Sequence, residues 1–214
     1  MIHFSLFGIP VAIQPFFWVT LAIIGNPWAD TPNAFLHLGL FILAGFISIL
    51  VHELGHALTI KSYRVPTSIT LQAFGGYASY PAGSLTRPQS FLVTAAGPAL
   101  QLVLGLAAHV AIHRFPPDNG IQPFLHDLRW VSVAWAVLNL LPILPLDGGQ
   151  LVNSILGPAR IRITLWVTVI TAGGLAAGSI LLSLKNNSFS ILLPLFFGMF
   201  AYQAFQALRE FRHR

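Results

Sequence analysis

The sequence predicts an all-α polytopic membrane protein with about six transmembrane helices and a short re-entrant β-loop between the second and third helices. Three observations favour this fold class. Hydrophobic residues make up 55% of the chain and charged residues only 8%, whereas soluble domains have roughly 25% charged residues. The apolar residues form several runs long enough to cross a bilayer. The stretch between the second and third apolar runs is too polar to cross the bilayer. The 214 residues are expected to form a single transmembrane domain, 1–214.

The apolar runs place the predicted helices along the chain. They cover about residues 7–24, 34–61, 91–113, a fourth stretch from residue 128, then 163–184 and 191–208. Two prolines and two glycines within residues 139–149 break the fourth stretch at membrane depth. The first run is interpreted as a retained anchor and not a signal peptide, because it lacks a basic segment before it and a small-residue cleavage site after it.

The second run contains Val51-His52-Glu53-Leu54-Gly55-His56. On a helix, residues four apart project from one face on successive turns, so His52 and His56 can ligate one zinc ion. Glu53 is then placed to take a proton from a metal-bound water. Ionisable residues inside a membrane span are costly, and they indicate a functional site.

A third ligand is expected among the carboxylates. Of the six in the chain, only Glu53 and Asp147 lie in apolar surroundings. A buried carboxylate needs a partner, and zinc held by two histidines lacks one protein ligand. Asp147 is therefore the expected third ligand, the alternative being a turn aspartate that bonds local amides. His109 and His113 are also four apart, but no acid lies between them, and they are expected to be interfacial.

The stretch from Val65 to Gln89 changes character. Residues 67–74 alternate loosely and are rich in β-branched side chains, and the turn-forming groups Gly75-Gly76 and Pro81-Ala82-Gly83 come after them. This pattern predicts a short hairpin or re-entrant β-loop beside the candidate site, where a strand edge would hold an extended peptide. An ordinary surface loop fits the pattern equally well.

The charges indicate a membrane surface as partner. The net charge is +5, but Lys and Arg stand singly or in pairs between apolar runs, which is typical of loops near anionic lipid and not of a nucleic-acid site. No cysteine is present, so disulfides and thiolate ligands are excluded. With six spans, one side holds three basic residues and the other holds Lys61, Arg64, Arg87, Arg160, Arg162, Arg209, Arg212 and Arg214. This bias predicts that both termini are cytoplasmic and that His52 lies within the bilayer, nearer the cytoplasmic face.

Two segments together resemble the site-2 protease family of intramembrane zinc metalloproteases. They are the His52-Glu53-Leu54-Gly55-His56 helix and the later Asn139…Pro142…Pro145-Leu146-Asp147-Gly148-Gly149 segment. Phe74-Gly75-Gly76-Tyr77 resembles the Gly-Gly stretch of the family's re-entrant β-loop, and Ala96-Gly97-Pro98-Ala99 resembles its small-residue motif at the third helix. One position departs from the pattern, because that motif commonly continues to Asn and the residue here is Gln101. The chain is expected to be the minimal core of this family, without the PDZ-like and C-terminal regulatory domains of many relatives.

The resemblance implies a zinc metalloendopeptidase that hydrolyses a peptide bond within or near a transmembrane segment of a membrane protein, as in regulated intramembrane proteolysis. The expected partners are a transmembrane-helix substrate and membrane lipids, with no nucleic acid. One Zn²⁺ per chain would be bound by His52, His56 and Asp147. Glu53 would be the catalytic acid/base, Asn139 would hydrogen-bond the oxyanion or the substrate backbone, and Gly75 and Gly76 would lie in the substrate loop.

Two rival readings fit part of the pattern. Another type of membrane zinc protease takes its third ligand from a Glu on a later helix, but the only later glutamate, Glu210, follows the last apolar run. A metal-handling membrane protein, or an inactive homologue that serves as a binding partner, is the alternative outside enzymes. Transport would be expected to need several ligands along a pathway, and it would not need Glu53.

Overall fold

A computed structural model of the chain describes residues 1–25, 33–116, 120–185 and 192–211. The chain divides into two compact units, Met1–Val137 and Leu138–Arg214, and each is described by itself. Arg212 and Arg214, which the orientation prediction counts, lie outside the described residues. The expectation of a single domain stays a prediction.

The first unit begins with a β-hairpin whose second strand lies at the start of the first predicted helix. Strand β1 (Ile2–Leu6) pairs antiparallel with β2 (Ile9–Ile13), and helix α1 starts only at Pro15 and ends at Ile24. The prediction of a first span over 7–24 is therefore wrong in its first half. The 10 residues of α1 extend about 15 Å at 1.5 Å per residue, which is half of a hydrocarbon core of about 30 Å.

Burial explains why this segment is a strand. Ile9, Val11 and Ile13 are all buried while the residues between them are more exposed, which is the period of two expected of a strand with one buried face. Pro10 has no N–H to donate, but it lies outside the pairing of β2 with the next strand, which covers only Val11, Ala12 and Ile13.

The hairpin joins a second hairpin in a four-stranded sheet of order β1-β2-β3-β4. Strand β3 (Ser68–Gln72) pairs parallel with β2 and antiparallel with β4 (Gly75–Ser79). The strands of the predicted hairpin are confirmed, whereas its re-entrant position in a membrane stays a prediction. The sheet and helices α1 and α2 share a core of Ile9, Val11, Ile13, Phe17, Leu21, Ile49, Leu54, Ala57, Ile69 and Leu71.

Two long helices lie at the predicted second and third spans. Helix α2 covers Ala34–Ser62 and α3 covers Arg87–Arg114. They meet at Gly55, where a Cβ would lie 2.5 Å from the carbonyl oxygen of Ala96 and 2.8 Å from the Cα of Gly97. Small residues on both sides of this contact allow the two backbones to come so close.

The break predicted after the fourth apolar stretch is present. Helix α4 (Gln122–Asn139) ends at Asn139, and α5 (Asp147–Leu156) begins at Asp147. A single 3₁₀ turn, Pro158–Arg160, then leads into α6 (Ile161–Lys185), and α7 covers Leu192–Glu210. The core of the second unit is formed by Ile143, Ala172, Phe197 and Phe200.

Three of the described helical segments are long and apolar enough to cross a membrane: Ala34–Ser62, Arg87–Arg114 and Pro158–Lys185. In the last of them, only 11% of the most apolar 18-residue stretch is buried inside the protein. Large side chains there, such as Ile163, Trp166 and Ile170, are at least half exposed. So much exposed apolar surface is unfavourable in water and favourable against lipid. These observations support a membrane protein, and the total of six spans and the sides of the termini stay predictions.

The helix contact at Gly55 leads to a first testable prediction. We expect Gly55→Ala to lower the free energy of unfolding by about 1–3 kcal/mol, because the added Cβ pushes the α2 and α3 backbones apart. Gly39→Ala in the same helix is the matched control, since a Cβ there meets nothing within 4 Å and alanine favours a helix by about 1 kcal/mol. Thermal unfolding in detergent measures both. Equal changes in the two variants would contradict the close contact.

Candidate metal and catalytic site

Two histidines on α2 form the centre of the candidate site in the first unit. His52 and His56 lie one helical turn apart, and both are buried. Their Nε2 atoms are 3.1 Å apart. The spacing of four residues predicts that the two rings share a face of the helix, and the rings do converge there.

The other ring nitrogen of each histidine faces an oxygen atom on α3. His56 Nδ1 lies 2.7 Å from the carbonyl oxygen of Val93, and His52 Nδ1 lies 2.9 Å from Oε1 of Gln101. A carbonyl oxygen can only accept a hydrogen bond, so His56 donates from a protonated Nδ1. In the neutral ring, His56 Nε2 then presents its lone pair toward His52.

This arrangement fits a shared metal ion. When both rings carry their proton on Nδ1, no hydrogen stands between the two Nε2 lone pairs, and a cation there stabilises both. Metal-binding histidines commonly donate their second N–H to a carbonyl or carboxylate oxygen in this way. Zinc binds imidazole nitrogen at about 2.0–2.1 Å, which separates two ligands by about 3.3 Å at a tetrahedral angle. The observed separation of 3.1 Å is close to that value.

Glu53 is buried beside the histidine pair, and strand β4 passes next to it. A Cβ added to Gly76 would lie 2.7 Å from Glu53 Cγ and 2.9 Å from its Oε1. Gly75 has a φ of 140°, which side chains other than hydrogen disfavour. Of the two glycines that are predicted to lie in the substrate loop, Gly76 therefore leaves room for the Glu53 side chain, and Gly75 adopts a backbone conformation that favours glycine.

Helix α3 contributes features that residue spacing and hydropathy did not predict. A Cβ on Gly97 would lie 2.3 Å from His56 Nε2, so a larger residue there would occupy the space beside that nitrogen. Val93 takes part through its main chain, which leaves no signal in the residue type. Gln101 did carry a signal, because it is a polar residue in an apolar helix, but its partner was not predictable from spacing.

In the second unit, Asp147 is the first residue of α5 and is buried. A carboxylate at a helix N-terminus is stabilised by the helix dipole. Gly148 and Gly149 let the preceding loop fold over this first turn, because a Cβ at either would lie within 2.4 Å of the backbone at Leu140 and Ile143 respectively. Asn139, the last residue of α4, is partly buried, and its contact with substrate stays a prediction.

Hydrogen bonds fix the loop that leads into Asp147. The Leu144 N–H donates to Thr168 Oγ1 at 3.0 Å, and the Thr168 hydroxyl donates to the carbonyl oxygen of Thr164 at 3.0 Å. Gln150 Nε2 donates to the carbonyl oxygen of Pro145, also at 3.0 Å. The loop is thereby attached to both α5 and α6.

The second histidine pair is less suited to a metal. His109 and His113 are exposed near the C-terminal end of α3, and the Arg129 guanidinium donates to His109 Nδ1 at 3.3 Å. A positive charge in contact with the ring opposes binding of a cation. Among the residues that the structure describes, neither histidine belongs to a group of three metal-ligating side chains.

Known proteins resemble this chain in sequence. A family model described as Peptidase family M50 matches residues 115–177. The chain is 36% identical over 169 residues to "Putative zinc metalloprotease sll0528" of Synechocystis sp., covering 71% of this chain and 42% of that protein. It is 29% identical over 154 residues to "Zinc metalloprotease MJ0392" of Methanocaldococcus jannaschii, covering 72% and 44%. The chain therefore spans less than half the length of these curated relatives.

A solved structure shows the same fold. The site-2 protease from Methanocaldococcus jannaschii matches with a TM-score of 0.66 and 22% identity, over 97% of this chain and 94% of that one. Together with the family model and the curated relatives, this match confirms the resemblance seen in the sequence. The chain is related to the site-2 proteases, peptidase family M50.

Proposed function

We propose that this protein is an intramembrane zinc metalloendopeptidase that hydrolyses a peptide bond within or near a transmembrane segment of a membrane protein. The observation that carries the proposal is the convergence of the His52 and His56 Nε2 atoms, 3.1 Å apart, with Glu53 buried at the next position of the same helix. The relation to peptidase family M50, and the zinc metalloproteases among the relatives, support it.

The proposed zinc ligands are His52, His56 and Asp147, with one ion per chain. Catalytic zinc sites take three protein ligands and keep a fourth position open. Asp147 is the proposed third ligand because it is a buried carboxylate in the segment that resembles the family motif. Glu53 projects about 100° around the helix from His52, so it is assigned to proton transfer and not to metal binding.

In the proposed reaction, two side chains, Glu53 and Asn139, act on the substrate or the attacking water. Zinc, when bound, would polarise the scissile carbonyl and activate the attacking water. Glu53 accepts a proton from that water and delivers it to the nitrogen of the leaving amine. The backbone at Gly76 limits the directions that the Glu53 side chain can take, because it lies against Glu53 Cγ. Asn139 donates a hydrogen bond to the oxyanion or to the substrate backbone.

The proposed substrate is a transmembrane helix that unwinds near the cut. Amides within a helix are shielded by their own hydrogen bonds, so we expect helix-weakening residues at the cleavage site. Strand β4 lies at one edge of the described sheet and beside Glu53, and an extended segment can pair with such an edge. We propose that water enters from the cytoplasmic side, because the predicted orientation places His52 nearer that face.

Metal content tests the proposed ligand set. We expect about one zinc per chain in detergent-purified wild type and loss of the zinc in His52→Ala and in Asp147→Ala, because each variant removes a ligand. His109→Ala and Asp127→Ala are matched controls that should keep the zinc. Elemental analysis by mass spectrometry measures all five proteins. Zinc retained in Asp147→Ala but lost in His52→Ala would contradict the third ligand.

Glu53→Gln separates hydrolysis from metal binding. We expect this variant to keep its zinc and to cleave about 10²–10⁴-fold more slowly, because the amide cannot accept the proton. Glu210→Gln, at the exposed end of α7, makes the same change away from the site and should cleave at the wild-type rate.

The assay follows cleavage of single-span reporter proteins that carry Gly or Pro within the span, co-reconstituted in liposomes, with products identified by mass spectrometry. Cleavage by Glu53→Gln at the wild-type rate would rule out the assigned role of Glu53. Zinc flux that survives this substitution, in liposomes where wild type leaves the reporters intact, would favour a metal-handling protein.

A further inference from the structure

Gln101 is a fully buried polar side chain in the apolar helix α3, and the chemistry proposed above gives it no role. We propose that Gln101 is a positioning residue: with Ser48, it fixes the tautomer and the ring orientation of His52 so that the lone pair of His52, and not an N–H, lies at Nε2, where it can bind metal. This inference rests on the proposed function and extends it to residues that orient a ligand without binding the metal themselves.

Ser48 determines which end of the Gln101 amide faces His52. Gln101 Nε2 donates to Ser48 Oγ at 2.8 Å and lies 3.4 Å from the Ser48 carbonyl oxygen. If the amide were turned over, its oxygen would face that carbonyl oxygen, and neither atom can donate. The amide oxygen, Oε1, therefore points at His52 Nδ1, 2.9 Å away.

The direction of the amide determines the tautomer of His52. Because Oε1 only accepts, the stable arrangement has the proton on Nδ1 and the lone pair on Nε2. The other tautomer would place two lone pairs against each other at Nδ1 and would point an N–H into the space between His52 and His56. Gln101 thus favours the one neutral form of His52 that can ligate a metal.

A third helix stabilises this arrangement. Ser132 of α4 donates from its hydroxyl to Ser48 Oγ at 3.0 Å, and Ser48, Gln101 and Ser132 are all fully buried. Within an apolar interior, such groups are satisfied only by one another, so a change in one disturbs the rest.

The two histidines differ in how they are held. His56 donates to the main-chain carbonyl of Val93, which a change of side chain does not remove. His52 depends on the side chain of Gln101, so a substitution there acts on one ligand only. This difference makes the inference testable.

The test measures zinc affinity by competition with a chelator in detergent, for wild type and for Gln101→Met, which has a similar volume but only a weak sulfur acceptor in place of the amide oxygen. We expect Gln101→Met to bind zinc about 10–100-fold more weakly, the usual effect of losing such a partner. Gln122→Met is the matched control. Gln122 is also buried, but its Nε2 donates to the carbonyl oxygens of Ile112 and Phe115 near the other end of α3, and its loss should leave zinc affinity unchanged.

Gln101→Glu supplies the rescue. A carboxyl group keeps an acceptor for His52 Nδ1–H and, when protonated, a donor for Ser48, so we expect zinc affinity within a few-fold of wild type. Nitrogen-15 spectra of histidine-labelled, metal-free protein read the tautomer directly. We expect the Nδ1–H form of His52 in wild type and in Gln101→Glu, and a mixture of both forms in Gln101→Met.

The outcomes distinguish failure of this inference from failure of the proposed function. Wild type that binds no zinc overturns the proposed function. Zinc-binding wild type with equal affinities for Gln101→Met and Gln122→Met overturns the positioning role, as does Gln101→Glu that is as weak as Gln101→Met. If Gln101→Met fails to fold, Gln101→Glu and Gln101→Leu carry the test, with wild-type-like zinc affinity expected in the former and a mixed His52 tautomer in the latter. An unchanged tautomer in Gln101→Leu would overturn the positioning role.

Discussion

The close approach of α2 and α3 at Gly55 and Gly97 decides where both histidine rings lie. At this contact a Cβ on Gly55 would meet the α3 backbone, and a Cβ on Gly97 would meet the ring of His56. The same approach brings the Val93 carbonyl and the Gln101 amide within hydrogen-bond distance of the two Nδ1 atoms. If the helices moved apart, the rings would lose their hydrogen-bond partners on α3, although no residue that binds the metal had been replaced. The packing of Gly55 and Gly97 therefore determines which hydrogen bonds the rings of His52 and His56 can make.

In a membrane-spanning helix, the histidine rings depend on these hydrogen bonds more strongly than they would in water. Lipid offers no hydrogen bonds, so each buried polar group in such a helix must find its partner within the protein. The side chains of His52, Gln101, Ser48 and Ser132 do so by bonding one another. Such networks favour one arrangement of donors and acceptors over all others. A metal site needs this selection, because only one neutral tautomer of each histidine presents Nε2 as a ligand.

Much of this architecture was predictable from the sequence, because it is local. Periodicity and hydropathy located α2, α3, α6 and α7 to within a few residues, and the prolines and glycines after Asn139 located the break before Asp147. The spacing of His52 and His56 predicted their shared face for the same reason, since both lie on one helix. The strand at Ser68–Gln72 was predictable from alternation, whereas Gly75 and Gly76, which were predicted to form the turn after it, are the first residues of the strand Gly75–Ser79.

The features that could not be predicted depend on pairing over long distances. Ile9–Ile13 forms a strand that pairs with Ile2–Leu6 on one side and with Ser68–Gln72, some sixty residues later, on the other, and hydropathy alone assigned it to a helix. The partners of the histidines were missed for a related reason. Val93 acts through its backbone, and Gln101 reaches His52 across a helix interface whose register depends on Gly55.

Zinc K-edge X-ray absorption on the purified protein tests most directly whether His52 and His56 share one metal, because it reports ligand type and distance without a substrate. We predict a single zinc environment with nitrogen and oxygen ligands at about 2.0–2.2 Å, and with outer-shell scattering from two imidazole rings. Spectra without imidazole scattering, or with the scattering of one ring only, would contradict the shared site.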